Sequence, residues 1–360
     1  MDRILVMRGG ALGDFVLGLP ALRALRDAFP HAGLELIAPA SVLPLASPLV
    51  EAATPLERSE VAALFGDAES LPEEIVSRYR GLDLVVLWLS DADGSVRGNF
   101  RRLGVRRLLW SPALPPPGRH ATDHLLATLE PLGIVPSPGG EAHGNSSLPG
   151  DGGTPRSAVG ANGRPPLHST FPVVQPSPTA CGKVSSLWRD LGLSVGLPVV
   201  AVHPGSGGDW KRWPVDRFAR VADRLAEADV GVVVIQGPAD AEVVRQLLLG
   251  VRGARPPVVS LPGVEELAAF LSLVSCYLGN DSGVTHLAAA LGTPTVAIFG
   301  PTDPAEWGPR GHRVVVLRAE RECAPCGRER GGKCRDGECL TAITEDQVLL
   351  AAMDLLPSAS

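Results

Sequence analysis

Residues 279–304, GNDSGVTHLAAALGTPTVAIFGPTDP, constrain the fold of this chain more than any other segment. An apolar run over 271–278 leads into a polar turn, which is followed by helix-like and then strand-like residues. Ser282 stands where an N-cap is expected, and His286 lies one turn further on the same helix face. Backbone N–H groups at such a helix start favour phosphate. The segment is either an ordinary βαβ crossover or an anion site, and we favour the site because Asp281 and His286 are polar in an apolar stretch.

Strand-like and helix-like segments alternate along the whole chain, which predicts an α/β fold with parallel sheets. The 360 residues provide for two domains of ordinary size. The predicted strands are 3–7, 34–38, 82–89 and 105–110 in the first domain, and 199–203, 230–235, 258–261, 276–278, 295–299 and 314–317 in the second. Pro20 interrupts an apolar helical pattern, so we expect a kink or a helix start there.

Composition divides the chain further. The expected parts are a Rossmann-like domain over 1–134, a Pro/Gly/Ser-rich linker or insertion over 135–183, a second Rossmann-like domain over 184–343 and a C-terminal helix within 344–360. The segment 135–183 has the composition of disordered or loosely extended chain. Thr344 and Gln347 form a capping-box pattern at the start of the last helix, which we expect to dock back on the first domain.

Charge and hydropathy exclude several classes of protein. The formal net charge of −6 argues against general nucleic-acid binding. No segment reaches the roughly 18 consecutive apolar residues of a membrane span. The N-terminus MDRILVMRGG lacks the layout of a signal peptide. We therefore expect a cytoplasmic protein.

A glycine-rich loop, RGGALGD, follows the first predicted strand. Open α/β sheets bind ligands at such strand ends. The spacing is neither that of G-x-G-x-x-G nor that of a Walker loop, so no nicotinamide or nucleotide-triphosphate fingerprint is present. A carboxylate is a poor phosphate ligand and a better general base, so Asp14 is either a base or a plain N-cap.

A second loop, HPGSGGDWKRWP, begins at the end of the strand predicted over 199–203 and carries Lys211 and Arg212. Two adjacent cations can neutralise charge on a departing diphosphate. A solvated surface loop is the alternative. The chain has only three lysines, and one of them falls within this Gly/Trp-rich loop, which favours the first interpretation.

Four cysteines near the C-terminus have the spacing C-x2-C-x7-C-x4-C: Cys323, Cys326, Cys334 and Cys339. Four thiolates in so short a span can hold a tetrahedral structural zinc ion. The spacing is not that of a standard zinc finger, so free or bridged thiols are the alternative.

Three blocks of the sequence together resemble the hallmark blocks of the heptosyltransferases, glycosyltransferase family 9. They are RGGALGDFVLGLPALRALR, HPGSGGDWKRWPVDRF and GNDSGVTHLAAALGTPTVAIFGPTDP. The resemblance reaches both predicted domains but not the Pro/Gly-rich segment or the cysteine stretch. It implies a GT-B fold, in which two Rossmann-like doubly wound domains face a cleft, with the acceptor on the N-terminal side and the nucleotide-sugar on the C-terminal side. It implies no metal in catalysis.

The resemblance also implies roles for matching residues. Asp14 matches the catalytic base and Lys211 the lysine that contacts the donor phosphates. Ser282 and Gly283 match the diphosphate turn, with Asp281 near the sugar or ribose. The candidates for donor binding are Ser206, Lys211, Arg212, Asp240, Asp281, Ser282, Gly283 and His286, with Asp240 proposed for a ribose hydroxyl. The candidates for acceptor binding are Gly13, Arg97, Arg101 and Arg102.

The arginines belong to a basic run that also includes Arg106 and Arg107. They either contact acceptor phosphate or an anionic membrane surface, or form a solvated helix face.

These expectations combine into one hypothesis. The chain is an inverting, metal-independent glycosyltransferase that moves a heptose from ADP-heptose to an envelope-glycan acceptor, such as a lipid-linked lipopolysaccharide core. It would act in the cytoplasm, at the inner face of the inner membrane. The alternatives are a non-catalytic nucleotide-sugar-binding protein and another GT-B enzyme, such as a nucleotide-sugar epimerase.

Overall fold

The structure, a computed structural model, describes residues 1–66, 71–135, 173–193, 196–326 and 337–357. It divides into two compact units, Met1–Val173 and Val174–Ser360. Each unit contains a parallel β-sheet with helices between its strands, so the predicted α/β class is confirmed. The central residues of the predicted linker, 136–172, lie outside the described residues.

The first unit is built on a five-stranded sheet with the order β3-β2-β1-β4-β5. Its elements are β1 (Arg3–Arg8), α1 (Leu12–Ala28), β2 (Gly33–Ala38), β3 (Ala52–Pro55), α2 (Ser59–Ala62), α3 (Glu73–Tyr79), β4 (Leu84–Trp88), α4 (Ser95–Arg102), β5 (Arg107–Ser111) and α5 (Ala121–Ala127). Short 3-10 helices cover Leu43–Leu49, Ala63–Phe65 and Glu130–Leu132.

The second unit is built on a six-stranded sheet with the order β11-β10-β9-β6-β7-β8. Its elements are α6 (Pro178–Asp190), β6 (Val199–His203), α7 (Val215–Glu227), β7 (Gly231–Ile235), α8 (Ala241–Gly250), β8 (Val258–Val259), α9 (Val264–Leu271), β9 (Cys276–Asn280), α10 (Gly283–Ala290), β10 (Thr295–Phe299), α11 (Pro304–Trp307), β11 (Val314–Arg318), α12 (Glu338–Thr341) and α13 (Glu345–Leu355). A 3-10 turn covers Asp209–Lys211.

Both sheets reverse their winding at one place. The order runs outward from β1 to β3 on one side and from β4 to β5 on the other, and the second sheet repeats this pattern from β6 and β9. The reversal opens a crevice beyond the carboxyl ends of the two central strands, where doubly wound folds bind their ligands. In the first unit this switch point lies between β1 and β4, and in the second between β6 and β9.

The central strands are buried because helices cover both faces of each sheet, which explains their nearly continuous apolar sequences. Ile4 and Leu5 in β1 are fully buried, as are Tyr277 and Leu278 in β9. Helix α7 packs its apolar face against the second sheet and places Phe218 edge-on against Trp213, with the ring centroids 4.9 Å apart.

Most predicted strands are confirmed, with ends shifted by one or two residues. The short edge strand β3 was missed because its sequence, AATP, is brief and only partly apolar. Helix α1 runs through Pro20, so the expectation of a helix start at that residue is wrong. The predicted irregular segment 135–183 extends too far, because Ser177 caps helix α6 and Pro178 occupies its first position.

The C-terminal helix α13 begins with the predicted capping box. The Thr344 amide donates to Gln347 at 2.9 Å, and the Gln347 amide donates to the Thr344 hydroxyl at 3.3 Å. The helix packs on α7 and on the sheet of the second unit, where Val348 and Ala352 are buried. We expected this helix to dock on the first unit; its apolar face is instead buried within the second. Across the residues described, no helix has the length and apolar character to cross a membrane.

Candidate functional site

The switch point of the second unit brings two of the sequence motifs together. Strands β6 and β9 are parallel neighbours, with His203 paired to Gly279 in register. Carboxyl ends of adjacent parallel strands meet at one edge of the sheet, so the loop after β6 and the turn after β9 lie side by side. The loop with Lys211 and the turn with Asp281 therefore form one site.

Asn280 fastens the loop to the turn. Its side-chain amide donates to the carbonyl of Pro204 at 2.9 Å, and its side-chain oxygen accepts from the Trp213 amide at 2.9 Å. The Trp213 ring is buried and its indole N–H donates to the carbonyl of Ile343 at 3.0 Å. Both ends of the loop are thus held, and the residues between them are positioned against β9.

Lys211 and Asp281 form the central ion pair of this site. The Lys211 Nζ lies 2.7 Å from Asp281 Oδ2, which also accepts a 2.6 Å hydrogen bond from the Thr302 hydroxyl. His286 Nε2 lies 3.7 Å from Asp281 Oδ1. Burial disfavours the ionised carboxylate, but His286 and the Lys211 charge outweigh burial, so the pKa of Asp281 is lowered well below its usual range. The pair is therefore ionised and joins the loop to the turn.

The start of helix α10 supplies anion-binding groups beside that pair. Ser282 is the N-cap and accepts a hydrogen bond from the Thr285 amide. Gly283 and Val284 open the helix, where backbone N–H groups have no intrahelical acceptor. The Nδ1 atom of His286 is buried and has no hydrogen-bond partner among the described residues. Amides, a hydroxyl and an imidazole thus cluster next to the Lys211 ammonium, as expected for a diphosphate site.

Two donor-side candidates have local partners within the loop after β6. The Ser206 hydroxyl donates to the carbonyl of Gly208 at 3.0 Å. Arg212 forms a 2.8 Å ion pair with Asp209, and its Nε atom is buried without a partner among the described residues. Both side chains shape the loop, and Arg212 keeps a buried N–H group available.

Asp240 is committed to protein contacts, in contrast to its expected role at a ribose hydroxyl. Its Oδ2 lies 3.0 Å from His203 Nε2 and accepts the Gly237 amide at 2.9 Å. A Cβ atom at Gly205 would overlap the same carboxylate, so only glycine allows the loop to pass there. Asp240 is 6% exposed. The structure therefore favours an internal role for Asp240 over direct contact with a ribose.

Sequence reasoning missed four polar residues that complete this site: His203, Tyr277, Thr285 and Thr302. His203 and Tyr277 carried a usable signal, because His203 ends the apolar strand β6 and Tyr277 lies among the apolar residues at the start of β9. Thr302 carried no such signal, since it reaches Asp281 only through the packing of β10 beside β9.

The switch point of the first unit positions Asp14. The residue is the third of helix α1, whose N-cap is Ala11, so the N-cap alternative is wrong. Asp14 Oδ2 accepts the Ala11 amide at 3.0 Å, while Oδ1 accepts no hydrogen bond from the described residues. The buried guanidinium of Arg8 donates to the Asp14 carbonyl at 2.8 Å and to the Trp88 carbonyl at 3.4 Å. Asp14 is half-buried and keeps one oxygen available for a ligand.

The loop that leads to Asp14 depends on glycine. Gly10 has a φ of +105°, a conformation that other residues adopt only with strain, and a Cβ there would lie 2.7 Å from Asp14 Cβ. Gly13 precedes Asp14 in the first turn of α1 and is half-buried. Its acceptor-side role stays a prediction.

The predicted basic run divides into two groups. Arg97 is held in place, with its Nε 2.7 Å from Asp91 Oδ2 and its guanidinium 4.0 Å from the centre of the Trp110 ring. Arg106 pairs with Asp83 at 2.8 Å, and Arg107 donates to the Pro131 carbonyl. Arg101 and Arg102 are exposed at the end of helix α4. The structure thus shows what holds Arg97, Arg106 and Arg107, and the acceptor-side roles of Arg97, Arg101 and Arg102 stay predictions.

The zinc hypothesis stays a prediction. Cys334 lies outside the described residues, and no metal-binding group of three or more side chains occurs among those that are described. Cys323 is exposed, whereas Cys339 is buried in the core of the second unit. Metal analysis of protein purified without chelator tests the hypothesis, and a stably folded, zinc-free product would refute it.

A family model supports this description of the second unit. Residues 171–333 match glycosyltransferase family 9 (heptosyltransferase), a range that contains both the loop after β6 and the turn after β9. The matched range is just under half of the chain, so the second unit is similar to glycosyltransferase family 9.

Named relatives extend the similarity to the first unit. The lipopolysaccharide heptosyltransferase 3 of Escherichia coli strain K12 is 24% identical over 96% of this chain and 95% of that protein. A second Escherichia coli lipopolysaccharide heptosyltransferase 3 is 31% identical over 46% of this chain and 49% of its own length. That higher identity thus spans about half of the relative.

Solved structures of family 9 share the fold. The E. coli ADP-heptose lipopolysaccharide heptosyltransferase II has a TM-score of 0.69 at 20% identity, covering 99% of this chain and 98% of that one. The expected GT-B fold class, built from two Rossmann-like units, is therefore confirmed for this chain.

Proposed function

We propose that this chain is a heptosyltransferase that transfers a heptose from ADP-heptose to a lipopolysaccharide-core acceptor with inversion at the anomeric carbon. The observation that carries the proposal is the Lys211–Asp281 pair set beside the start of α10, at the switch point of the second sheet. The match to family 9 and the names of the relatives support the choice of sugar and acceptor.

In the proposed reaction, Asp14 acts as general base. Its free Oδ1 takes the proton of the acceptor hydroxyl, and the hydroxyl oxygen then attacks the anomeric carbon of the donor. The bond between that carbon and the diphosphate oxygen breaks in the same displacement. The products are the glycosylated acceptor, a nucleoside diphosphate and a protonated Asp14, which returns its proton to solvent.

The second unit stabilises the leaving group in this scheme. Negative charge grows on the diphosphate as the bond breaks, and fixed positive charge nearby lowers the barrier. The Lys211 ammonium and the amides of Gly283 and Val284 are fixed before the ligand binds, because Asp281 and the helix hold them in place. These groups supply the charge that a metal ion would otherwise provide, so we propose metal-independent transfer without a catalytic cofactor.

The acceptor belongs to the first unit in this proposal. Arg101 and Arg102 are exposed on α4 and suit the phosphate groups of a lipid-linked acceptor. Such an acceptor would bring the protein to the cytoplasmic face of the inner membrane as a peripheral protein.

The decisive experiment incubates the protein with ADP-heptose and a heptose-free core acceptor, with and without EDTA. We expect transfer that EDTA does not reduce, and a product of inverted anomeric configuration. Conversion of the donor in the absence of acceptor would instead identify an epimerase, and binding of the donor without any turnover would identify a binding protein. Calorimetric binding of ADP-, UDP-, GDP- and dTDP-sugars tests the choice of nucleotide.

A further inference from the structure

A buried chain of polar groups lies directly behind the candidate diphosphate site. It connects Asp240, His203, Tyr277, Ser282 and Thr285, which are all less than 9% exposed. These residues come from four elements that meet at the switch point: the end of β6, the start of α8, strand β9 and the start of α10. Of this set, only Ser282 belongs to the candidate diphosphate site described above.

The first half of the chain joins a carboxylate to an imidazole. Asp240 Oδ2 lies 3.0 Å from His203 Nε2 and also accepts the Gly237 amide. Burial opposes ionisation of this carboxyl, but the contact with His203 and the Gly237 amide prevail, so the pKa of Asp240 is lowered. An ionised Asp240 accepts a hydrogen bond from His203 Nε2–H, which leaves Nδ1 as the position where the ring can gain a proton.

The second half of the chain joins the imidazole to the ligand site. His203 Nδ1 lies 3.3 Å from the Tyr277 hydroxyl and 3.4 Å from the Ser282 hydroxyl. Thr285 Oγ1 lies 3.0 Å from the Tyr277 hydroxyl and 3.1 Å from that of Ser282. Burial raises the pKa of Tyr277, so the phenol keeps its proton. A single hydroxyl, that of Ser282, thus separates His203 from an anion at the start of α10.

Charged groups of both signs lie on the elements around His203. Among the described residues of these elements, the charged and titratable groups are Asp209, Lys211 and Arg212 in the loop after β6, Asp240, Glu242 and Arg245 at the start and along α8, Cys276 and Tyr277 on β9, and Asp281 and His286 at the turn and on α10. Asp240 is the anion in direct contact with the ring. A bound diphosphate would add negative charge on the opposite side, and a buried imidazole between two anions favours its protonated form.

We propose that His203 takes up a proton at Nδ1 when the diphosphate of the donor binds at the start of α10, an inference that rests on the proposed function. The proton comes from solvent and converts the imidazole to imidazolium, with no other bond changed. The new N–H group donates to the Ser282 oxygen and leaves the Ser282 O–H to donate to the phosphate. His203 is thus a positioning residue that adds positive charge behind the leaving group.

Calorimetry tests this proton uptake directly. ADP binding is measured at pH 7.5 in two buffers that differ in ionisation enthalpy, because the difference in heat gives the number of protons bound. We expect wild-type protein to take up more protons than His203→Gln, by as much as about one per ADP. The same linkage makes the wild-type dissociation constant rise with pH, by at most about tenfold per unit, whereas the variant stays nearly flat. Equal uptake in both proteins would overturn the proposal.

Matched variants separate protonation from folding. Asp240→Asn keeps the shape of the carboxylate but removes its charge, so uptake should decrease while the thermal unfolding midpoint shows whether the fold is retained. His286→Gln changes the other imidazole of the site, and His124→Gln changes one in the first unit that contacts Ser111 at 2.8 Å. Both of these variants keep His203, so both should take up more protons on ADP binding than His203→Gln does. If His286→Gln instead lost this proton uptake, His286 rather than His203 would be the group that is protonated.

If His203→Gln does not fold, NMR of the wild-type protein can observe the protonation of His203 directly. In protein labelled with ¹⁵N-histidine, saturating ADP should move the His203 ring signals toward the imidazolium position, and unchanged signals would refute the proposal. Inorganic pyrophosphate, UDP and GDP serve as further probes. One outcome would separate the two proposals: the protein takes up a proton with these probes but does not transfer heptose from ADP-heptose. That result would support the role of His203 and refute only the proposed donor. Failure of every probe to bind would refute both.

Discussion

The two switch points of this molecule have the same topology but different chemistry. In the second unit, charged and polar side chains tie the loops together, with Lys211 held by Asp281 and the loop ends held by Asn280. In the first unit, the Arg8 guanidinium donates to backbone carbonyls, and one oxygen of the Asp14 carboxylate accepts no hydrogen bond from the part of the chain that the structure describes. One crevice presents fixed positive charge, and the other presents an available carboxylate.

This difference agrees with the two tasks of a displacement reaction. Stabilising a leaving group requires charge that is already in place, because reorganising charge during the reaction costs energy. A general base must instead exchange a proton with solvent and substrate, so its carboxylate cannot be fully committed to hydrogen bonds. The same strand order therefore supports either task, and the residues of the loops decide which one.

Substitution of Asp14 should have the largest effect. Asp14→Asn keeps the side-chain shape and the cap on α1 but removes the base, so kcat for heptose transfer should fall by about 10²–10⁴-fold. ADP binding should be unchanged, because the donor groups lie in the second unit. Asp27→Asn, an exposed carboxylate on the same helix, is the matched control and should retain full activity. Wild-type turnover in Asp14→Asn would remove this residue from the mechanism.

Substitution of Lys211 should have the second largest effect and should act on the other crevice. Lys211→Gln leaves Asp281 buried without its ammonium partner, so both ADP affinity and stability should decrease. Loss of leaving-group stabilisation is expected to lower kcat by about 10²–10³-fold. Breaking a buried pair costs about 3–5 kcal/mol at most, and less here because Lys211 is partly exposed.

Lys183 provides the control for that substitution. It forms a 2.9 Å pair with Glu266, but its side chain is 63% exposed. Surface pairs contribute little, so Lys183→Gln should leave the urea midpoint and the ADP affinity close to those of the wild type. If Lys183→Gln and Lys211→Gln lost ADP affinity and stability equally, the position of Lys211 beside α10 would be unimportant.

The sequence predicted the second crevice better than the first. Ser282 follows an apolar strand within two residues, and Lys211 lies in the glycine-rich loop after another. Turn and N-cap residues have recognisable local preferences, so these positions were clear without a structure. The role of Asp14 was left open between base and N-cap, because a shift of three residues along a helix start changes a cap into an interior position. The structure excludes the N-cap alternative by placing Ala11 at the N-cap, and the role of Asp14 as base stays a prediction.

The contacts between distant segments were not predictable from sequence. Asp240 approaches His203 because β7 lies beside β6, and Thr302 approaches Asp281 because β10 lies beside β9. The local pattern of apolar residues predicts that each strand exists, but it does not predict which strands lie next to each other in the sheet. The contact of Arg97 with the Trp110 ring was not predictable for the same reason, since the ring lies on β5, which pairs with β4. Its other partner, Asp91, is only six residues away along the chain.

The pH dependence of stability should report the ionised Asp281. Its pKa is lower in the folded than in the unfolded protein, where aspartate titrates near about 3.9. The resulting stabilisation is complete above that value and is lost as the pH falls through the folded pKa. The urea midpoint of Asp281→Asn should therefore be lower at pH 7 and should change less between about pH 5 and pH 2. Asp216→Asn, at an exposed site on α7, should keep the wild-type slope; an unchanged slope in Asp281→Asn would show that the carboxyl is not ionised in the fold.

The smallest expected effect separates the arginines of the basic run in the first unit. Arg101→Gln together with Arg102→Gln removes exposed charge from α4, so the KM for a phosphorylated acceptor should rise about three- to tenfold, with kcat and ADP affinity unchanged. Arg97→Gln instead breaks the contacts with Asp91 and Trp110, so the thermal midpoint should fall while the acceptor KM stays near the wild-type value. A dephosphorylated acceptor should not distinguish the double variant from wild type, because the missing interaction is then absent from both. If Arg97→Gln raised KM without loss of stability, the division of the basic run into scaffold and acceptor groups would be wrong.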